Sequence, residues 1–178
     1  MKQALAILSL YCKGVNEQLI GILEGVPGEK LQEDMQTYFK SIAGTLNHMT
    51  RHEINWLIRL RDIFPTSPLA KAELLRTTAE DLQAGMERNY RETFSLRKRA
   101  DILFEEFIRE LKDEELEQVI NYKSKHGGGD QSAQLGHILL QLFMHQTHHR
   151  GAISAMLDRQ GIDNDYSGLL KHLPVSQT

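Results

Sequence analysis

Residues 132–160 read SAQLGHILLQLFMHQTHHRGAISAMLDRQ, and Gly161 follows. At the roughly 100° per residue of an α-helix, Leu135, Ile138, Leu139, Leu142, Phe143, Ile153, Met156 and Leu157 fall on one arc. The stretch therefore predicts a long amphipathic helix over 132–160 that stops at the glycine. A helix of this length buries its apolar arc against others like it, and the chain supplies three more. Residues 91–112 place Phe94, Leu96, Ile102, Leu103, Phe107 and Leu111 at helical spacing among many charges. The run Arg97, Lys98, Arg99 in it reads as helix surface paired with Asp101, Glu105 and Glu106. Residues 31–64 read as one helix through Leu31, Met35, Phe39, Ile42, Leu46, Met49, Trp56 and Leu60, stopped by Pro65 and Pro68. Residues 3–23 form the first helix, ended by Gly25, Pro27 and Gly28.

The connections complete the expected architecture. Residues 68–90 hold one short helix and are long enough to cross a bundle. Within 116–136, Val119, Ile120 and Tyr122 precede Gly127, Gly128 and Gly129, which predicts a short β-hairpin or ordered loop. Three glycines without a following Lys are not a phosphate loop. The expected fold is all-α: a single domain over 1–178, a four-helix bundle whose long crossover lets helices two and three run parallel, with the hairpin before helix four.

Composition narrows the function. The chain has 178 residues, 40% hydrophobic and 25% charged, with 4 Pro and 13 Gly, values of a globular domain with few helix breakers. Lys and Arg number 21 against 24 Asp and Glu, a net charge of -3, so there is no basic surplus to neutralise nucleic-acid phosphates or an anionic membrane. No apolar run approaches the roughly 18 residues of a membrane span, and no leader is evident at the start, so a soluble cytoplasmic protein is expected. The single Cys12 cannot form an internal disulfide and reads as a small buried hydrophobe on helix one. Eight His are present, three of them within 145–149, which favours imidazole over thiol chemistry.

His149 lies near the centre of the apolar arc of helix four, His145 lies one turn earlier on the same side, and His148 falls outside it. An inward pair at i and i+4 can share one cation. A third ligand has to come from another helix, and helix two offers His48 and His52, one turn apart. The arc of helix two is centred between Leu46 and Met49, which ranks His52 ahead of His48 and leaves both open. The spacing of HQTHH matches that of zinc-protease helices, but Gln146 stands where those have a proton-accepting Glu, and an amide cannot take that role.

The segment HQTHHRGAISAMLDRQG (145–161) resembles the signature that opens the last bundle helix of the DinB/YfiT-like family of metalloenzymes. TLNHMTRHEINWLIRL (45–60) is similar to that family's second-helix segment, with Trp56 and Arg59 in register, and this match puts His48 at the family's metal position. LYCKGVNEQL (10–19), the helix over 97–111, NYKSKHGGG (121–129) and SGLLKHLP (167–174) also fall where similar features occur, and 66–90 is the weakest stretch. One departure is Lys13, Gly14 and Val15, where the family often has Trp, so a pocket wall is expected to differ. A lesion-bypass DNA polymerase shares the family's name, but this chain is too short, too helical and too acidic to be one.

The resemblance implies a divalent metal, Zn or Ni first, held by His48, His145 and His149 with positions open to water or substrate. It implies an enzyme that activates a low-molecular-weight thiol or water, with a small-molecule substrate in a cleft between helices one, two and four. The alternative is a non-catalytic bundle clipped by metal, with a stress-response or interaction role. No residue is assigned as nucleophile or general base. Glu53 could orient a ligand, His148 and Arg150 read as structural, and Tyr11 and Trp56 as core or pocket lining. Apolar residues beyond the main stripes of helices one and three, together with the habit of similar proteins, suggest a homodimer.

Overall fold

The computed structural model describes residues 1–123 and 129–173. Four long helices carry the fold: α1 (Lys2–Glu24), α3 (Ile42–Ile63), α6 (Glu92–Glu110) and α7 (Leu135–Arg159). Short helices α2 (Gly28–Gln32), α4 (Pro68–Lys71) and α5 (Ala79–Arg88) lie in the connections. α1 packs against α6 and α7, and α3 packs against α7 and α6, so α1 and α3 are diagonal partners although they follow each other in sequence. The crossover after α3 accommodates α4 and α5, both of which pack back on it. No described helix is long and apolar enough to cross a membrane.

The expected helix over 31–64 is broken. The chain leaves helical geometry after Gln32 and re-enters it at Ile42, with Gln36 (φ 58) and Lys40 (φ 65) in left-handed conformations between. Local polar groups stabilise this turn. The carboxylate of Asp34 accepts from the Gln36 amide at 2.8 Å, and the Ser41 hydroxyl accepts from the Gly44 amide at 3.0 Å as the N-cap of α3. Such a cap contributes about 1 kcal/mol, which apolar spacing does not register. Met35 and Phe39 continue a helical period by residue type while belonging to a turn.

β1 (Val119–Lys123) pairs antiparallel with β2 (Asp130–Gln134), Val119 opposite Gln134 and Lys123 opposite Asp130. This is the expected hairpin; Gly127 and Gly128 lie outside the described residues, as does Pro174. Pairing claims Ser132 to Gln134, so α7 starts three residues later than its apolar pattern suggests. The hairpin docks on α3, where Arg59 lies over Trp56 at 4.5 Å and Trp56 meets Tyr122 edge-on at 5.0 Å.

The interior has two apolar clusters. One gathers Cys12, Ile54, Leu57, Phe104, Phe107 and Phe143, and the other Val15, Leu19, Leu46, Met49, Phe94 and Ile153. Each of the four long helices contributes to both and also carries buried polar residues: Asn16 on α1, Glu53 on α3, Arg97 and Asp101 on α6, and Gln146 and Arg150 on α7. That polar layer positions the site.

Two glycines in the long helices separate steric need from propensity. A Cβ on Gly44 would overlap the carbonyl oxygen of Phe39, whereas one on Gly151 would meet nothing within 4 Å. Gly44→Ala is therefore expected to destabilise the fold by about 1–3 kcal/mol through that clash. Gly151→Ala should stabilise by up to about 1 kcal/mol through helix propensity. Urea unfolding of the two variants checks the opposite signs.

Candidate metal centre

α3 and α7 run side by side, and their facing surfaces bring His48, His145 and His149 together with ligand nitrogens within 4.8 Å of one another. Nε2 of His145 is 3.1 Å from Nε2 of His48 and 3.0 Å from Nε2 of His149. An imidazole nitrogen carries either one proton or one in-plane lone pair, so the His145 nitrogen can satisfy one of these contacts by hydrogen bonding but not both. A cation uses all three lone pairs. Tetrahedral bonds of about 2.0–2.1 Å to nitrogen would set the nitrogens about 3.3 Å apart, close to what is found. The residues present fit a divalent metal.

His52, ranked first by periodicity, is outside this cluster; its ring stacks on His145 with centroids 4.0 Å apart. Helical spacing ranks residues by direction from one helix axis, whereas the position of α7 across the groove decides which ring tip reaches the other two. His148 is exposed and touches His149 only edge-on, at 4.9 Å. Phe39 was not foreseen as a site residue. The left-handed turn brings its ring flat against His48 at 4.0 Å and edge-on to His149 at 5.4 Å. The only sequence signal was Ser41 as a helix N-cap, which frees the residues before it from the helix.

His145 and His149 are kept in the ligand form. Burial, and then the neighbouring histidines His52, His149 and His48, lower His145 from 6.5 to about 3. Burial and His148 lower His149 in the same direction. Neutral rings at pH 7 leave their lone pairs available.

Behind the triad lies a buried polar network with parts from all four long helices, in which Nη1 of Arg97 has no partner among the described residues. Arg97 spans Asp101 with Nε at 3.0 Å and Nη2 at 2.8 Å, and its Nη2 also donates to Glu53. The other oxygen of Glu53 accepts from the Gln146 side-chain amide. Gln146 Oε1 in turn accepts from Asn16 at 2.8 Å and from Arg150 at 3.1 Å, and Asn16 donates to Asp101 at 3.0 Å. Two guanidinium groups and two carboxylates balance in charge, with none of the six side chains more than 5% exposed. Asp101 and Glu53 hold Arg97 protonated against the burial that opposes its charge. Burial pushes Asp101 upward and Arg97 pulls it back, and the hydrogen-bonding neighbours of Asp101 are all donors, so the ionised form is the one they match.

Arg97 and Asp101 are thus interior groups and not the surface pair their charge run suggested; the partner that draws Arg97 inward, Glu53, lies 44 residues away. Lys98 keeps the expected surface role, paired with Glu24 at 3.0 Å. Glu53 holds Arg97 and Gln146 and makes no described contact with an imidazole, so it fixes α3 against α7 and not a ligand ring. Arg150 is buried in the same network, with Nη2 3.5 Å from the Cys12 sulfur. Burial pushes the Cys12 thiol up to about 11, which suits the buried reading of that residue. Where the family often has Trp, Gly14 leaves room for His172 of the tail, whose ring lies edge-on to Tyr11.

A cavity of about 270 Å³ reaches the triad at His48, lined also by Phe39, Asn47, Arg51, Gln83 and Met86. It lies between α3, α5 and the turn before α3. α1 does not line it, so the expected cleft of helices one, two and four is replaced: α1 is diagonal to α3 and the crossover supplies the wall. Tyr11 and Arg150 line a separate cavity of about 400 Å³ under the tail.

These features define a class: a four-helix bundle with an interhelical three-histidine cluster. The match of the DinB family to residues 1–166 shows that the chain belongs to that family. It is 26% identical to Protein DinB of Bacillus subtilis (strain 168) over 152 residues, which cover 85% of this chain and 83% of that protein. No solved structure gives a significant match.

The network's donor and acceptor pattern makes a swap informative. Glu53→Gln turns an amide donor toward the donor of Gln146, and the cost should reach about 3 kcal/mol, as for other broken buried charge networks. Adding Gln146→Glu restores one acceptor facing one donor and should recover most of that loss in a double-mutant cycle measured by urea unfolding.

A proton prediction follows from His145. Its unfolded value is near 6.5 and its folded value about 3, so between those pH values the unfolded chain binds the extra proton. This contribution to the metal-free protein's stability is complete above pH 6.5 and is lost as pH falls. His145→Asn removes it, so the urea midpoint of that variant should drop less than wild type between pH 7 and 4.

Proposed function

We propose that this protein is a metal-dependent enzyme that activates a small thiol or a water at an open site made by His48, His145 and His149, with Zn or Ni as the metal. The observation that supports this reading most directly is the convergence of three imidazole nitrogens, with Nε2 of His145 within 3.1 Å of Nε2 of both His48 and His149. No thiol or carboxylate among the described residues joins the cluster, which leaves coordination positions for exogenous ligands. When bound, a divalent ion there supplies a Lewis acid that favours the anionic form of a thiol or water.

The chain's own groups do the rest. Neutral imidazoles add no charge to the centre, so they leave its full positive charge for an anionic ligand. Phe39 covers the rings of His48 and His149 and keeps bulk water off that side. Gln146 is engaged at both ends of its amide and cannot serve as a general base, which argues against protease-like hydrolysis. A thiol-dependent transferase is favoured over hydrolases of other kinds by the family resemblance alone, with a small-molecule electrophile as the second reactant. The competing reading, a metal clip without catalysis, predicts that chelation mainly unfolds the chain.

Elemental analysis of the purified protein should find about one metal per chain, as expected for one three-ligand site. His149→Ala and His48→Ala should abolish stoichiometric binding, while His52→Ala keeps it. Full metal content in His149→Ala, or loss confined to His52→Ala, would refute the ligand set. A thiol-consumption screen against small electrophiles, with and without chelator, then tests the chemistry.

A further inference from the structure

The cavity that opens on His48 has a cationic wall that the proposed chemistry does not use. Arg51 lies three residues after His48 on α3, one turn along the same face, and is half-buried in the cavity lining. Its Nη1 donates to the side-chain oxygen of Gln83 on α5 at 2.7 Å. That partner is neutral. Among the described residues no carboxylate lies within 4 Å of the Arg51 guanidinium. Glu87, also in the lining, accepts from the Gln83 amide at 2.6 Å and so faces Gln83 instead of Arg51.

A guanidinium offers five donors in a planar fork, and Gln83 engages one of them. The remaining edge suits a carboxylate or phosphate, which such a fork holds through paired, charge-assisted hydrogen bonds. Phe39 and Met86 supply apolar lining to the same cavity. At about 270 Å³ the cavity is at the small end for ligand clefts, enough for a compact molecule and no polymer.

We propose that Arg51 is a specificity-determining residue: it binds an anionic group of the small molecule whose other end reaches the His48, His145, His149 centre, so that anionic thiols are selected over neutral ones. This rests on the proposed function for the thiol end, while the anion contact stands on the geometry of Arg51, Gln83 and the cavity.

The test uses protein loaded with Co(II), whose visible absorption reports ligand binding without turnover. It is titrated with 3-mercaptopropionate and with its neutral isostere 3-mercaptopropionamide. Wild type should bind the anionic thiol about tenfold more tightly, roughly 1.4 kcal/mol, the size expected of one charge-assisted contact. Arg51→Gln should bring the two within about threefold of each other, mainly by weakening the anionic thiol, and Arg51→Lys, which keeps the charge without the fork, should retain only part of the preference. Gln83→Glu separates recognition from structure. It keeps the α3 to α5 link as an ion pair with Arg51, yet neutralises the guanidinium charge and should strongly weaken the preference.

Equal binding of both thiols by wild type, or an unchanged preference in Arg51→Gln or Gln83→Glu, overturns the proposal. A parallel titration of the protein as purified with propionate and propionamide follows the Arg51 Nε–H resonance by NMR. If neither thiol perturbs cobalt but propionate alone shifts Arg51, the anion site stands and the thiol reading falls. If propionate leaves Arg51 unmoved, the anion site falls whatever the metal does.

Discussion

The structure depends on one buried layer of polar groups. Arg97, Asp101, Glu53, Asn16, Gln146 and Arg150 are buried together beside the apolar clusters, where an unpaired charge would cost several kcal/mol. Apolar packing alone tolerates sliding of one helix past another, because one leucine substitutes for the next. A ring of donors matched to acceptors does not tolerate it. The hydrogen bond between Glu53 and Gln146 ties α3 to α7 at one register, and the histidines that must meet are placed around those two residues. His145 and His149 flank Gln146, and His48 precedes Glu53 by little more than a turn.

The front of the site follows a different logic. Its wall is a turn with two non-glycine residues in left-handed conformations, each costing about 1–2 kcal/mol relative to a relaxed backbone. The Ser41 cap, the Asp34 turn and the close approach of Gly44 to the Phe39 carbonyl hold that turn in place. The outcome is a phenyl ring against two imidazoles. Strain concentrated beside a cluster of ligand-type side chains is where a functional constraint is expected to override local preference.

Legibility in the sequence tracked the range of the interactions. The arc of α7 and the i, i+4 pair His145 and His149 depend on one helix alone, and the apolar pattern showed them. The choice between His48 and His52 depends on a second helix; periodicity favoured the residue that stacks, and only family resemblance pointed to His48. Arg97 was misread because its neighbours in sequence are charged, while the partner that buries it is on another helix. Phe39 was misplaced because its apolar side chain kept a helical period across a turn set by polar caps. Arg51 offered no signal, since its value lies in the neutrality of Gln83, which only the crossover brings to it.

The same network explains why the residue after His145 is a glutamine. At this position one end of the side chain must donate to Glu53, and the other must accept from Asn16 and from Arg150. An amide does both without taking up a proton. A glutamate placed opposite Glu53 without further change would set two carboxylates against each other in a buried space, and one would have to take up a proton. The bundle thus excludes the carboxylate that a zinc-protease helix keeps beside its metal, because the position is already committed to holding α3 and α7 in register.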